Sequence, residues 1–154
     1  MRCTVPMISM PIAIRSATLD DVPAIRAIER QSTSASHWST EQYEKLLQNG
    51  IVLVAEQAGT LCGFISAQAA AGEWEIENVV IARDLLRQGI ASGLVRKIIG
   101  CARNKNASTV LLEVRESNRA ARSLYQKLNF LEVGRRTKYY REPQEDAVLY
   151  AIRL

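Results

Sequence analysis

The chain has 154 residues, enough for one two-layer domain and too few for two independent cores. Apolar residues make up 47% and charged residues 23%, ordinary globular values, and no segment approaches the unbroken apolar run of roughly 18 residues that a membrane helix needs. A net charge of +4 suits an anionic partner such as a phosphorylated cofactor, RNA or an acidic peptide without choosing among them.

Residues 1–11 carry one arginine and a mildly apolar stretch broken by Pro6, Ser9 and Pro11, which reads as a flexible leader to a single domain over 12–154, not a signal peptide. Residues 12–16 read as a short strand, and Thr18 with Asp21 has capping-box spacing ahead of a helical repeat of Val22, Ile25 and Ile28. The small, polar residues 32–38 read as a loop, after which Ser39 and Gln42 repeat the capping-box spacing for a helix ending near Gly50. Residues 51–56 and 61–67 are rich in strand formers and are separated by Gln57-Ala58-Gly59-Thr60, the spacing of an antiparallel hairpin. A small-residue loop at 69–72 leads to a third strand at 74–81.

Arg87-Gln88-Gly89-Ile90-Ala91 then opens a helix whose apolar positions Ile90, Leu94, Ile98 and Cys101 recur at helical spacing. Residues 109–114 form a buried-looking strand, and Ser117 is expected to cap a helix carrying Ala121, Leu124, Tyr125 and Leu128. Strands at 131–140 and 147–153 close the chain. The order β-α-α-β-β-β-α-β-α-β-β predicts an α/β domain with a mixed sheet covered by helices. Cys3, Cys62 and Cys101 are odd in number and lack CxxC spacing or a nearby histidine, so reduced cytosolic thiols fit better than a disulfide framework or a zinc site.

Three segments carry chemistry. The strand Asn78-Val79-Val80-Ile81 leads to Gly89 at a helix start, where free amides and the helix dipole favour phosphate; a turn glycine is the plainer reading. A dinucleotide fingerprint fails there, because Ala91 and Leu94 occupy its second and third glycine positions. Glu113 interrupts an apolar strand, which fits either a solvent-facing residue or a carboxylate with the raised pKa that a general base requires. Tyr125 falls on the apolar face of its helix, where a phenol packs as core and its hydroxyl finds one partner. His37, the only histidine, sits in a loop and reads as a surface residue.

In this order the three segments resemble the GNAT superfamily of N-acetyltransferases. Leu112-Glu113-Val114-Arg115-x-Ser117-Asn118 with Ala121-x-x-Leu124-Tyr125 is similar to its RimI-type branch, the ribosomal-protein-alanine N-acetyltransferases. The resemblance covers 12–154 and extends to Trp38-Ser39, Arg136-x-x-Tyr139-Tyr140 and Glu145-Asp146-Ala147. It implies a mixed, mostly antiparallel sheet with a splayed parallel strand pair. It also implies acetyl-CoA as cosubstrate, no metal, and direct attack of an amine on the thioester. By the same resemblance Val79, Val80 and Ile81 would face the acetyl and pantetheine parts; Arg87, Gln88, Gly89, Ile90, Ala91 and Ser92 would cradle the pyrophosphate, and Asn118 would contact the cosubstrate near the pantetheine. Glu113 would be the general base, through water, and Tyr125 would protonate the departing thiolate.

The implied partner is the free N-terminus of a protein or peptide, possibly ribosomal, met in the cytoplasm by a monomer or weak homodimer, with no DNA and no membrane. The chain departs from the family at Leu86, His37, Ala91 and Asn129, the last able to take the left-handed conformation of the usual glycine. Alternatives are a lysine- or small-amine acetyltransferase, and a non-catalytic acetyl-CoA sensor or RNA-binding module suggested by the basic group Arg135, Arg136, Lys138 and Arg141.

Overall fold

A computed structural model describes residues 11–32, 35 and 37–154, so the expected leader and part of the 32–38 loop lie outside the described residues. The elements follow the expected order: β1 (Ala13–Ser16), α1 (Val22–Arg30), α2 (Thr40–Asn49), β2 (Ile51–Gln57), β3 (Thr60–Ala70), β4 (Glu73–Ile81), α3 (Ile90–Asn104), β5 (Thr109–Arg115), α4 (Arg119–Lys127), β6 (Leu131–Arg141) and β7 (Gln144–Arg153).

Both capping boxes form. The Thr18 amide donates to Asp21 at 2.8 Å, and Ser39 and Gln42 exchange bonds of 2.8 and 3.2 Å that satisfy amides at the start of α2. Asp21 also accepts a two-pronged pair from Arg15 of β1 at 2.7 and 2.9 Å, and the guanidinium holds its carboxyl down to about 2. The turns are tighter than the composition suggests. β2 and β3 are joined by Ala58-Gly59 and β3 and β4 by Ala71-Gly72, each pair with φ positive at both positions, as two-residue hairpins require. The expected loop at 69–72 therefore shrinks, and Ala69 and Ala70 pair with Trp74 and Glu73 in the ladder.

The seven strands form one sheet in the order β1-β2-β3-β4-β5-β7-β6. Among the described strands only β4 and β5 run parallel, and their pairing stops at Ile76 opposite Leu112 although β4 continues to Ile81 and β5 to Arg115. The two strands part there into a V. At the same point β4 bulges: Ile76 pairs with Ala67 and Asn78 with Ser66, so Glu77 has no opposite residue. The bulge switches the faces of β4, placing Trp74 and Ile76 in one core and Val80 in the other.

Leu94, Val95, Ile98, Ile99 and Ala102 of α3 pack on Ile65, Ala67, Val110 and Leu112, while Ile25 and Ile28 of α1 and Tyr43 and Leu46 of α2 cover Val54, Phe64 and Val80. Cys101, expected on the core face of α3, is only half-buried, and its neighbour Ala102 takes the core position. Among the described residues no helix is long and apolar enough to cross a membrane.

Candidate active site

The V between β4 and β5 opens into two cavities. The larger, about 560 Å³, runs between the end of β4, the start of α3 and α4. Val79, Val80, Ile81, Arg87, Gly89, Ile90, Ala91, Ser92 and Asn118 line it, whereas Gln88 does not. Gly89 caps α3 with φ +79, and a Cβ there would meet nothing within 4 Å. The left-handed backbone, not crowding, calls for glycine. Helical bonding begins with the Gly93 amide on the Gly89 carbonyl at 3.1 Å, so the amides of Ile90, Ala91 and Ser92 have no acceptor within the helix. They and the positive end of a fifteen-residue helix stand at the cleft wall, a setting for phosphate oxygens. Gln31, Ser32 and Arg83, which no sequence pattern singled out, also line this cleft, and the Arg83 Nε donates to the Gln31 carbonyl at 3.1 Å. Leu86, one of the departures from the family pattern, is 55% exposed beside the cleft.

The smaller cavity, about 130 Å³, lies where the strands have parted and is lined by Glu77, Asn78, Glu113, Arg115, Tyr140 and Ala35 among others. Both linings include Val79, Asn118, Ala121 and Tyr125, so the two cavities meet at those four residues.

Asn118, not Ser117, caps α4: its Oδ1 accepts from the Ala121 amide at 3.2 Å. Ser117 is drawn instead to Glu145, giving its amide and hydroxyl to that carboxylate at 3.1 and 3.0 Å. Tyr125 is buried, its ring 5.6 Å from that of Phe130 and 6.3 Å from that of Tyr150. Burial pushes its phenol up to about 12, so the hydroxyl keeps its proton at neutral pH.

Glu113 does not stand alone in apolar surroundings: its Oε1 accepts from Arg136 of β6 at 2.7 Å. Arg115 pairs with Glu145 at 3.0 Å and lies 4.1 Å over the Tyr140 ring. These contacts make the β6–β7 hairpin the third wall of the smaller cavity. They also break up the basic group considered for RNA, because Arg135 pairs with Glu116 at 2.6 Å and Glu132 at 3.0 Å, and Arg136 with Glu113. Exposed His37 has its Nδ1 3.6 Å from buried Glu29, which also accepts from the Trp38 amide at 3.0 Å and from the Tyr43 hydroxyl. Among the described residues no group of three His, Cys, Asp or Glu could hold a metal ion.

An open helix start in one cavity and carboxylates in the other, with a protonated phenol lining both, is an arrangement suited to group transfer between two substrates. The Acetyltransferase (GNAT) family profile matches residues 20–130. The Escherichia coli K12 [ribosomal protein bS18]-alanine N-acetyltransferase is 32% identical over 146 residues, covering 90% of this chain and 95% of the relative. An N-alpha-acetyltransferase of Saccharolobus solfataricus is 30% identical over 155 residues, with 90% of each chain covered. The crystal structure of the ribosomal-protein-S18-alanine N-acetyltransferase from Escherichia coli superposes with a TM-score of 0.84 at 29% identity, covering 93% of this chain and 94% of that one. The chain belongs to the GNAT acetyltransferase family and is an acetyl-transferring enzyme.

Proposed function

We propose that the enzyme transfers an acetyl group from acetyl-CoA to the N-terminal α-amine of a cytoplasmic protein, a ribosomal protein being the first acceptor to test. The observation that carries this reading is the meeting of the two cavities at Val79, Asn118, Ala121 and Tyr125, which lets a cosubstrate and an acceptor reach one point from opposite sides. The relatives named for N-terminal acetylation support the choice of acceptor.

The larger cleft fits acetyl-CoA in its chemistry. Left-handed Gly89 and the free amides of Ile90, Ala91 and Ser92 would take the pyrophosphate, and the apolar walls Val80, Ile81 and Leu124 would border the pantetheine arm. Acetyl-CoA supplies an acetyl group already activated as a thioester. Val79 and Asn118 would bracket the reacting end. A carboxylate of the smaller cavity takes a proton from the acceptor ammonium, and the neutral nitrogen then forms the new C–N bond. As the C–S bond breaks, Tyr125 gives its phenolic proton, which burial keeps available, to the sulfur, and the second proton lost by the acylated nitrogen restores the phenol through solvent. Two carboxylates line that cavity, Glu77 and Glu113; the family resemblance points to Glu113, acting through water. An α-amine has a pKa of about 8 against about 10.4 for lysine, so little basicity is demanded of it.

The test is mass spectrometry of peptides with free Ala, Ser, Met or Gly N-termini, beside N-blocked lysine peptides, after incubation with enzyme and acetyl-CoA. Acetylation confined to α-amines supports the reading. Transfer only to lysine overturns it.

A further inference from the structure

Two carboxylates line the smaller cavity, Glu77 and Glu113, and their surroundings differ. Glu113 is committed to Arg136 at 2.7 Å. The Glu77 carboxylate has no hydrogen-bond or ion-pair partner among the described residues, although the residue is half-buried in the wall. Its position is set by the backbone. The bulge leaves Glu77 without an opposite residue on β3, and the β4–β5 pairing ends at the residue before it. A carboxylate at the point of the V thus borders the cavity that Tyr125 also lines.

We propose that Glu77 is the group that meets the acceptor amine: its carboxylate binds the incoming ammonium and takes its proton, while Glu113 remains an anion neutralised by Arg136. This rests on the reading above that the cavity admits an amine. In the step, an N–H bond of the ammonium breaks and an O–H bond forms on Glu77. The freed lone pair forms the C–N bond at the thioester carbonyl, and the C–S bond breaks as the sulfur takes the Tyr125 proton. The nitrogen's second proton restores the Tyr125 phenol through solvent, and the proton on Glu77 passes to solvent after product leaves.

Besides Glu77, the charged and titratable residues lining this cavity are Glu113 and Arg115 on β5, Tyr140 on β6 and Tyr125 on α4. Behind them stand Glu75 on β4, Arg136 and Tyr139 on β6 and Glu145 on β7, each acting on a lining residue. Both arginines are bound to carboxylates other than Glu77. Burial, with Glu75 and Glu113 nearby, raises Glu77 above the usual carboxylate range. That direction improves the match between the carboxylate and an amine titrating near neutrality.

The test is the pH dependence of kcat/KM for the full chain, using an α-amine peptide, with wild type, Glu77→Gln and Glu77→Asp. For Glu77→Gln the expected loss is about 100-fold at mildly acidic pH, shrinking as pH rises past the amine's own pKa of about 8, with acetyl-CoA affinity by calorimetry unchanged. Glu77→Asp should recover most of the activity and keep an acid limb below that of the amine. Glu77→Gln within about twofold of wild type at every pH, or a loss equal at every pH, overturns the proposal. Should Glu77→Gln fail to fold, the aspartate variant decides: an acid limb displaced from that of wild type supports the role and an unmoved one removes it. A wild type that acetylates only lysine overturns the choice of acceptor and this inference together, a result distinct from an active wild type indifferent to Glu77.

Discussion

The two cavities that meet at Tyr125 are made of different material. The larger is built mainly from backbone and apolar surface: strand residues 79–81, left-handed Gly89 and the unbonded amides of α3. The smaller sets charged and polar side chains from β4, β5, β6 and α4 among apolar ones such as Ile76, Leu112 and Val114. A backbone site tolerates changes of side chain as long as the chain path survives, whereas a side-chain site can be retuned one residue at a time. A fixed cosubstrate suits the first construction and a variable acceptor the second.

The largest effect should come where the cavities join. Tyr125→Phe removes the proposed proton donor and keeps the ring contacts with Phe130 and Tyr150, so turnover should fall about 100-fold with acetyl-CoA affinity unchanged, as read by steady-state kinetics and calorimetry. Next is Gly89→Val. At φ +79 a β-branched residue is strained by roughly 1–2 kcal/mol, so acetyl-CoA affinity should drop about tenfold while acceptor KM at saturating acetyl-CoA stays put. A smaller effect is expected from Glu145→Ala, which releases Arg115 and Ser117 and loosens the hairpin wall. Acceptor KM should rise roughly fivefold and acetyl-CoA affinity should not move; the reverse would erase the contrast between the sites.

The smallest effect lies away from both cavities, at Asp21. Its carboxyl is lowered from 3.8 to about 2 by Arg15 and the Thr18 amide. A depressed carboxylate stabilises the fold above its unfolded pKa, and the contribution disappears as pH falls from about 4 through about 2. Melting temperature should therefore decline over that window, less steeply in Asp21→Asn, and neutral-pH transfer should be unaffected.

The same division explains what could be read in the sequence. Local signals carried the element order: capping boxes at Thr18 and Ser39, helical spacing along α3, and Gly89 before it. Asn129, standing where the family has glycine, does take the left-handed conformation, at φ 70. Signals that depend on distant partners were not legible. Ser117 and Asn118 are both competent caps, and Glu145, 28 residues beyond Ser117, draws the serine away and leaves Asn118 to cap α4. The bond from Arg136 to Glu113 likewise spans 23 residues. Glu77 escaped notice because Trp74-Glu75-Ile76-Glu77 alternates like an ordinary half-exposed strand, and only the bulge opposite Ser66 and Ala67 shows that its place is special. The acid that interrupts β5 and the tyrosine on α4 stood out through their likeness to a family pattern, not through period or charge.

The most direct test of direct transfer between the two sites is the binding of a conjugate in which CoA sulfur is joined through an acetyl bridge to the N-terminal nitrogen of a short peptide. With the cavities meeting at Tyr125, one molecule should fill both, and calorimetry should show binding on the order of 100-fold tighter than CoA alone. A conjugate that binds no better than CoA would mean that the smaller cavity does not receive the acceptor, and would contradict transfer between the two sites.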